Sequence, residues 1–288
     1  MTLRQILQQT ANTLSDSSIE DAHLEAAVLL SHTLNLSPTQ LYAQPERELN
    51  LREINGLHQL IERRLHREPA AYIVEHREFY GIDFFVDSRA LIPRPETEHI
   101  VDEAIKYTRG HEDYSPRSDN RFTIADIGTG CGAIAISLAS HLPQAIIYAA
   151  DISPSALEIA QINCQYHGVT EQVILLQGNL LEPLPEPANL VVANLPYIRD
   201  PELPYLDPEI INFEPLIALA GGQNGLEKIY QLLDQARRKL QSPCCLILEI
   251  GQGRDKEVSS FVHRCLPESR VELIPDLSGI KRVIKVNF

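Results

Sequence analysis

Nowhere in this 288-residue chain do roughly 18 or more apolar residues follow one another, so no segment reads as a membrane-spanning helix. The opening Met1-Thr2-Leu3-Arg4-Gln5 runs directly into an amphipathic pattern without a signal-like apolar core, and a cytosolic protein is expected. Cysteine is sparse and unpatterned. Cys131, Cys164, Cys244, Cys245 and Cys265 are odd in number and lack CxxC spacing, which argues against a disulfide framework or a zinc site and leaves ordinary buried thiols. Positive charge is also scarce, with 25 Lys and Arg against 39 Asp and Glu for a formal net charge of −14. A broad phosphate-binding surface needs clustered cations, so direct nucleic-acid binding is not expected and a protein or small-molecule substrate is favoured. Internal repeats and low-complexity tracts are missing as well.

What is present is ample apolar content, 44% of the chain, enough for a substantial core and best divided between two unequal domains. Residues 1–75 read as a small all-helical domain. Leu3, Ile6, Leu7 and Leu14 start one stripe; after a cap-like Ser17-Ser18, Leu24, Val28, Leu30 and Leu34 continue another. Asn50 with Glu53 resembles a capping box ahead of Ile54, Leu57, Ile61 and Leu65, until Pro69 stops the run. Residues 76–91 change period: Glu78 to Val86 is aromatic and β-branched around Gly81, as a hairpin linker would be. A helix is expected from Glu96 to about Tyr107, and Gly110 to Arg121 reads as an exposed loop.

Within residues 92–288, from Phe122 onward, short apolar strands alternate with helical stretches, the pattern of a parallel sheet wound on both faces. The predicted strands are Phe122–Ile127, Ile146–Ala150, Val173–Leu176, Leu190–Ala193, Cys244–Ile250, Val271–Ile274 and Arg282–Val286. Helices are predicted over Ala133–His141, Ser153–His167, Leu226–Leu240 and about Lys256–Cys265.

Asp126-Ile127-Gly128-Thr129-Gly130-Cys131-Gly132 sits where the first of these strands turns into a helix, and its glycines can take positive φ and admit a ligand to the backbone. A flat or anionic ligand fits such a turn. Nicotinamide enzymes use G-x-G-x-x-G/A turns that this one loosely satisfies, and a tight turn without ligand is the plain alternative. Asp151, followed by Ile152, closes the second strand, where a carboxylate can accept from both hydroxyls of a ribose; its alternative is a role in starting the segment capped by Ser153. Asn179 and Leu180 follow the third strand, where the Asn side-chain oxygen can accept from an adenine amino group or simply shape the turn.

The fourth strand ends in Asn194-Leu195-Pro196-Tyr197, at the sheet edge where open α/β folds bind ligands. An amide nitrogen is a poor nucleophile because its lone pair is delocalised, so a catalyst must orient that pair and stabilise the charge forming on nitrogen. The side-chain carbonyl of Asn194 and the backbone carbonyl of Leu195 can accept its two N–H bonds, Pro196 limits flexibility, and Tyr197 can stack on the planar group. The gain would come from orientation and preorganised electrostatics, with no metal required. A strand-ending Asn-x-Pro turn with a packed tyrosine is the alternative.

At these residues the chain resembles the HemK/PrmC family of protein-(glutamine-N5) methyltransferases. The likeness extends through Arg67 to Ile73, Glu78-Phe79-Tyr80-Gly81, Leu91 to Glu98, the glycine turn, Phe213-Glu214-Pro215 and Gly221 to Leu226. It implies an α/β, Rossmann-like, seven-stranded class I methyltransferase domain preceded by a helical domain and a β-hairpin linker. It also implies S-adenosylmethionine as methyl donor, and peptide-chain release factors as partners whose Gly-Gly-Gln glutamine is modified. Arg94 and Glu96, in the proline-bracketed loop, are implied to hold the donor or order its entrance, and the helical domain to dock the protein substrate. Three positions depart from the family pattern: Leu195 replaces a proline, Asn179 an aspartate, and Ile211 lies where a basic residue is common. Asn-Leu-Pro-Tyr also resembles adenine-methylating RNA enzymes, so a nucleic-acid methyltransferase, a nicotinamide oxidoreductase and a non-catalytic binding module are the rival readings.

Overall fold

The apolar stripes of the N-terminal region become five helices in a computed structural model that describes residues 1–111, 121–240 and 243–288. They are α1 (Leu3–Asp16), α2 (Ala22–Leu34), α3 (Pro38–Ala43), α4 (Leu51–Leu65) and α5 (Ala70–Val74). The expected capping box opens α4: Asn50 Oδ1 accepts from the N–H groups of Arg52 and Glu53, and the Glu53 carboxylate accepts from the Asn50 N–H. Thr2 and Gln5 do the same for α1. Leu3, Leu14, Leu29, Leu30 and Leu57 meet in a core of their own. Two expectations fail here. Ser17 ends α1 instead of starting α2, whose first turn follows Asp21 in a left-handed conformation without a side-chain cap. Leu24 is 63% exposed, because α2 turns Ala26, Ala27, Leu29 and Leu30 inward instead.

By its contacts the chain divides into two compact units, Met1–His76 with Asp207–Phe213, and Arg77–Leu206 with Glu214–Phe288. Strands β1 (His76–Phe79) and β2 (Ile82–Phe85) form a hairpin whose two turn residues, Tyr80 and Gly81, both take positive φ, 54° and 72°, as a two-residue turn matched to strand twist requires. A 3-10 turn over Pro95–Thr97 then leads into α6 (Glu98–Arg109). Of the loop expected over Gly110 to Arg121, residues 112–120 lie outside the described residues.

The alternating region follows as β3 (Thr123–Ile127), α7 (Ala133–His141), β4 (Ile146–Asp151), α8 (Pro154–Tyr166), β5 (Val173–Gln177) and β6 (Leu190–Ala193). After the short α9 (Pro208–Phe213) come α10 (Glu227–Lys239), β7 (Cys245–Glu249), α11 (Asp255–Cys265), β8 (Arg270–Pro275) and β9 (Lys281–Asn287). Every strand boundary falls within one residue of its predicted place. The sheet order is β5-β4-β3-β6-β7-β9-β8, parallel except for β9, which runs antiparallel to both neighbours. This is the seven-stranded α/β architecture expected. Strands β3, β6 and β7 are buried along their whole length, which is why they read as unbroken apolar runs.

One topological fact places the site. The chain leaves β3 for β4 and β5 on one side and returns to β6 on the other, so the carboxyl ends of β3 and β6 flank a switch point, where open α/β sheets leave a crevice. Among the described residues, no helix is long and apolar enough to cross a membrane.

Candidate functional site

Ile127 pairs with Ala193 across β3 and β6, so the residues that follow them, Gly128 and Asn194, emerge side by side. The glycine turn is held against β4 as well, where the N–H groups of Gly128 and Thr129 both donate to the Ala150 carbonyl, at 2.8 and 3.1 Å. Gly128 and Gly130 take φ of 76° and 58°, a region that penalises a Cβ. A methyl at Gly130 would meet nothing within 4 Å, whereas one at Gly128 would meet the Leu195 side chain at 3.2 Å. Backbone here is bare toward a cleft lined by Gly128, Gly130, Asp151, Ile152, Asn179, Leu180, Asn194, Leu195 and Pro196. Arg89, Ile217 and Lys228 also reach it.

Asp151 stands at its rim. Oδ2 accepts from the Gly130 N–H and Oδ1 from the Ser153 N–H, both at 2.9 Å, so the carboxylate is oriented by backbone while burial raises its pKa. Ser153 supplies the α8 cap with its own hydroxyl, while Asp151 holds the N–H of that cap residue. Ile152 is 49% exposed and offers apolar surface. Asn179 shapes its turn, its side-chain NH2 donating to the Glu182 carboxylate at 3.2 Å and its backbone carbonyl accepting from the Glu182 N–H, while Leu180 takes a positive φ of 54°.

Asp126, Thr129, Cys131 and Gly132 are not part of the lining. Asp126 is fully buried beneath the turn, where Oδ2 accepts from the Thr129 hydroxyl at 2.6 Å and the Ala135 N–H at 3.1 Å. Its other oxygen has no hydrogen-bond partner among the described residues, and burial pushes its pKa up to about 7. Cys131 is buried, burial raising its thiol pKa to about 12, and its carbonyl accepts from Asn163 of α8 at 2.9 Å. Gly132 opens α7 at φ 87°, and a Cβ there would also stand 3.0 Å from Ile136 and 3.4 Å from Ala160. These four residues build the turn from below.

Of the tetrapeptide, Asn194, Leu195 and Pro196 face this cleft, whereas Tyr197 lines a second opening with Arg199, Gly251 and Arg282. Glycines explain how closely the tetrapeptide is packed: a Cβ at Gly221 would sit 2.7 Å from the Pro196 carbonyl oxygen, and one at Gly225 2.4 Å from that of Tyr197. The Gly221 to Leu226 run therefore holds the tetrapeptide's backbone in place.

The proline-bracketed loop contributes differently from its expected parts. Arg94 donates to Glu214, which is 6% exposed, instead of pairing with Glu96 or Glu98, and Glu96 is exposed. Neither Arg94 nor Glu96 lines the cleft. Thr97 is the residue of that loop that touches the tetrapeptide: its hydroxyl accepts from Asn194 Nδ2 at 2.9 Å and donates to Glu249 at 2.7 Å. Sequence reasoning assigned no role to Thr97 or Glu249; a solitary carboxylate ending the apolar run Leu246-Ile247-Leu248 was the available signal. Among the described residues, no cluster of His, Cys, Asp and Glu could hold a metal.

Comparison with known proteins places both regions. Residues 5–74 match the family model described as PrmC N-terminal domain, and residues 116–206 the one described as Methyltransferase small domain. The chain is 39% identical to a release factor glutamine methyltransferase of Moorella thermoacetica, over 98% of this chain and 97% of that protein. It is 37% identical to the one of Geobacter sulfurreducens, over 91% and 89%. Among solved structures, the human methyltransferase 10 domain containing protein shares the fold, with a TM-score of 0.50 at 14% identity, covering 73% of this chain and 90% of that one.

Proposed function

The chain belongs to the release factor glutamine methyltransferase family, and we propose that it methylates the side-chain amide nitrogen of a glutamine, that of the Gly-Gly-Gln loop in peptide-chain release factors, with S-adenosylmethionine as donor. The observation that carries this reading is the convergence of Gly128, Gly130, Asp151 and Asn194 on one cleft. The residues present fit such a donor: glycine backbone that leaves open space, a backbone-oriented carboxylate with lone pairs to spare for ribose hydroxyls, and the apolar surface of Ile152 and Leu180 for a flat base. When bound, S-adenosylmethionine supplies an electrophilic methyl on a positively charged sulfur.

Everything else is done by the chain. Asn194 Oδ1 and the Leu195 carbonyl accept the two N–H bonds of the visiting carboxamide and stabilise the positive charge that develops on its nitrogen. Pro196, with no N–H of its own and a fixed φ, keeps those two oxygens in place. Tyr197 lines the second opening and not the cleft, so ring stacking on the planar amide is not part of this reading. The Tyr197 hydroxyl, its pKa pushed up to about 12 mainly by burial, stays neutral and hydrogen-bonded to Glu249. To the helical unit, whose residues 5–74 match the PrmC N-terminal domain, we assign docking of the protein substrate.

The test is methyl transfer from labelled S-adenosylmethionine with a recombinant release factor, a glutamine-to-alanine variant of its Gly-Gly-Gln loop, and nucleic acid offered in parallel. Label on the glutamine alone supports the assignment. Label on RNA or DNA, with none on the release factor, transfers the chain to the exocyclic-amine methyltransferases.

A further inference from the structure

Glu249 ends β7, one register step beyond the Ala193–Leu248 pair, which puts it beside Asn194. It is 2% exposed on an otherwise apolar strand. A carboxyl group there is costly unless donors meet it, and two hydroxyls do. Thr97 donates to Oε2 at 2.7 Å, and Tyr197 donates to Oε1 at 3.4 Å. Burial raises the pKa of Glu249, and the two hydroxyl hydrogen bonds, with the positive charge of Arg282, pull against it toward the ionised form. With one donor aimed at each oxygen, the carboxylate is an acceptor only.

The consequence passes through Thr97. A hydroxyl has one proton, and that of Thr97 is committed to Glu249, so toward Asn194 its oxygen can only accept. Asn194 therefore turns its NH2 edge to Thr97, at 2.9 Å, and the Oδ1 edge remains for a ligand. Nothing in the backbone of the tetrapeptide distinguishes the two edges of this amide, which are nearly the same shape.

We propose that Glu249 and Thr97 are positioning residues that set the polarity of Asn194, so that the site offers an oxygen and selects a substrate nitrogen bearing N–H bonds over a carboxylate or other pure acceptor. This rests on the function proposed above for the identity of the substrate, but not for the polarity itself. A glutamine side chain satisfies such a site, whereas a glutamate in its place brings no N–H and meets an oxygen.

Two near-isosteric changes reverse or remove the relay in the full-length chain. In Glu249→Gln, a side-chain N–H can donate to Thr97, freeing its proton to turn toward Asn194. In Thr97→Val, the hydroxyl is gone. Each should lower kcat at least tenfold while the Kd for S-adenosylhomocysteine stays within about threefold, and Thr97→Ser should recover most of the rate lost in Thr97→Val. Independently of any substrate, one Nδ2 proton of Asn194, assigned by its disappearance in Asn194→Ala, should exchange slowly in NMR spectra of the wild type and quickly in Thr97→Val. Wild-type kcat in either folded variant, or a proton still protected in Thr97→Val, overturns the proposal. A protected proton that is lost in Thr97→Val, from an enzyme that labels no release factor, upholds the polarity and removes only the substrate assignment.

Discussion

Ile127 and Ala193 are register partners in neighbouring parallel strands, and this single pairing brings together two motifs 66 residues apart, the glycine turn and the tetrapeptide. Because both strands are buried throughout, a slip of one residue would send their side chains to the wrong faces, so the juxtaposition of Gly128 and Asn194 is held as firmly as the core itself.

The proposed role of Asn194 predicts that Asn194→Ala lowers kcat by about 100-fold or more, the scale seen when one preorganised transition-state contact is removed. Titration calorimetry should show S-adenosylhomocysteine binding nearly unchanged, since the glycine turn and Asp151 are untouched. Undiminished turnover would remove the carbonyl-acceptor mechanism.

Two glycines of one turn should respond differently to the same substitution. At Gly130 an added methyl meets no atom of the protein but protrudes where a donor would lie, so Gly130→Ala should weaken S-adenosylhomocysteine at least tenfold while costing about 1–2 kcal/mol of stability from its φ alone. At Gly132 the methyl strikes Ile136 and Ala160, and Gly132→Ala should cost more, about 2–4 kcal/mol, because overpacking adds to the same backbone strain. Urea unfolding and calorimetry on the two variants separate these effects; equal loss of stability with equal affinity would contradict the arrangement.

Asp126 gives a pH prediction with a definite sign. Its folded-state pKa, about 7 against an ordinary 3.8, means the native state keeps a proton that the unfolded chain releases between those values. Its contribution to stability is therefore fully present below the unfolded pKa, falls as pH rises toward 7 and is constant above. Across that window wild-type stability should decline by a few kcal/mol relative to Asp126→Asn, on the order of 1 kcal/mol per pH unit, and the variant should show the flatter profile in urea titrations. The Asn oxygen can still accept from Thr129 and Ala135, so the variant should fold.

Arg94 and Glu214 form an ion pair across 120 residues with the carboxylate buried. Arg94→Ala should cost about 1–3 kcal/mol, and Glu214→Gln in the same chain should recover part of that cost, a coupling that a double-mutant cycle measures. Additive losses would show that the pair contributes nothing of its own.

Strand and helix positions were legible because each rests on local physics: apolar runs bounded by polar turns, a capping box at Asn50 and Glu53, and positive-φ glycine after a strand. The residues that face the cleft were legible for the same reason, since Gly128, Gly130, Asp151 and Asn194 all lie at or just past strand ends and a parallel sheet gathers its strand ends on one edge. The exposure of Leu24 was not, because two apolar stripes of similar quality compete on α2 and only packing against its neighbours α1, α3, α4 and α5 chooses between them.

Residue types and their spacing were thus sufficient to say that a glycine turn and the Asn194 to Tyr197 tetrapeptide share one sheet edge. Which side chains stand behind them was settled by packing. Thr97 reaches Glu249 over 152 positions, and Arg94 reaches Glu214 rather than its neighbours Glu96 and Glu98. Such pairings depend on strand order and on which carboxylates become dry, and burial is a property of the assembled core that no local pattern encodes.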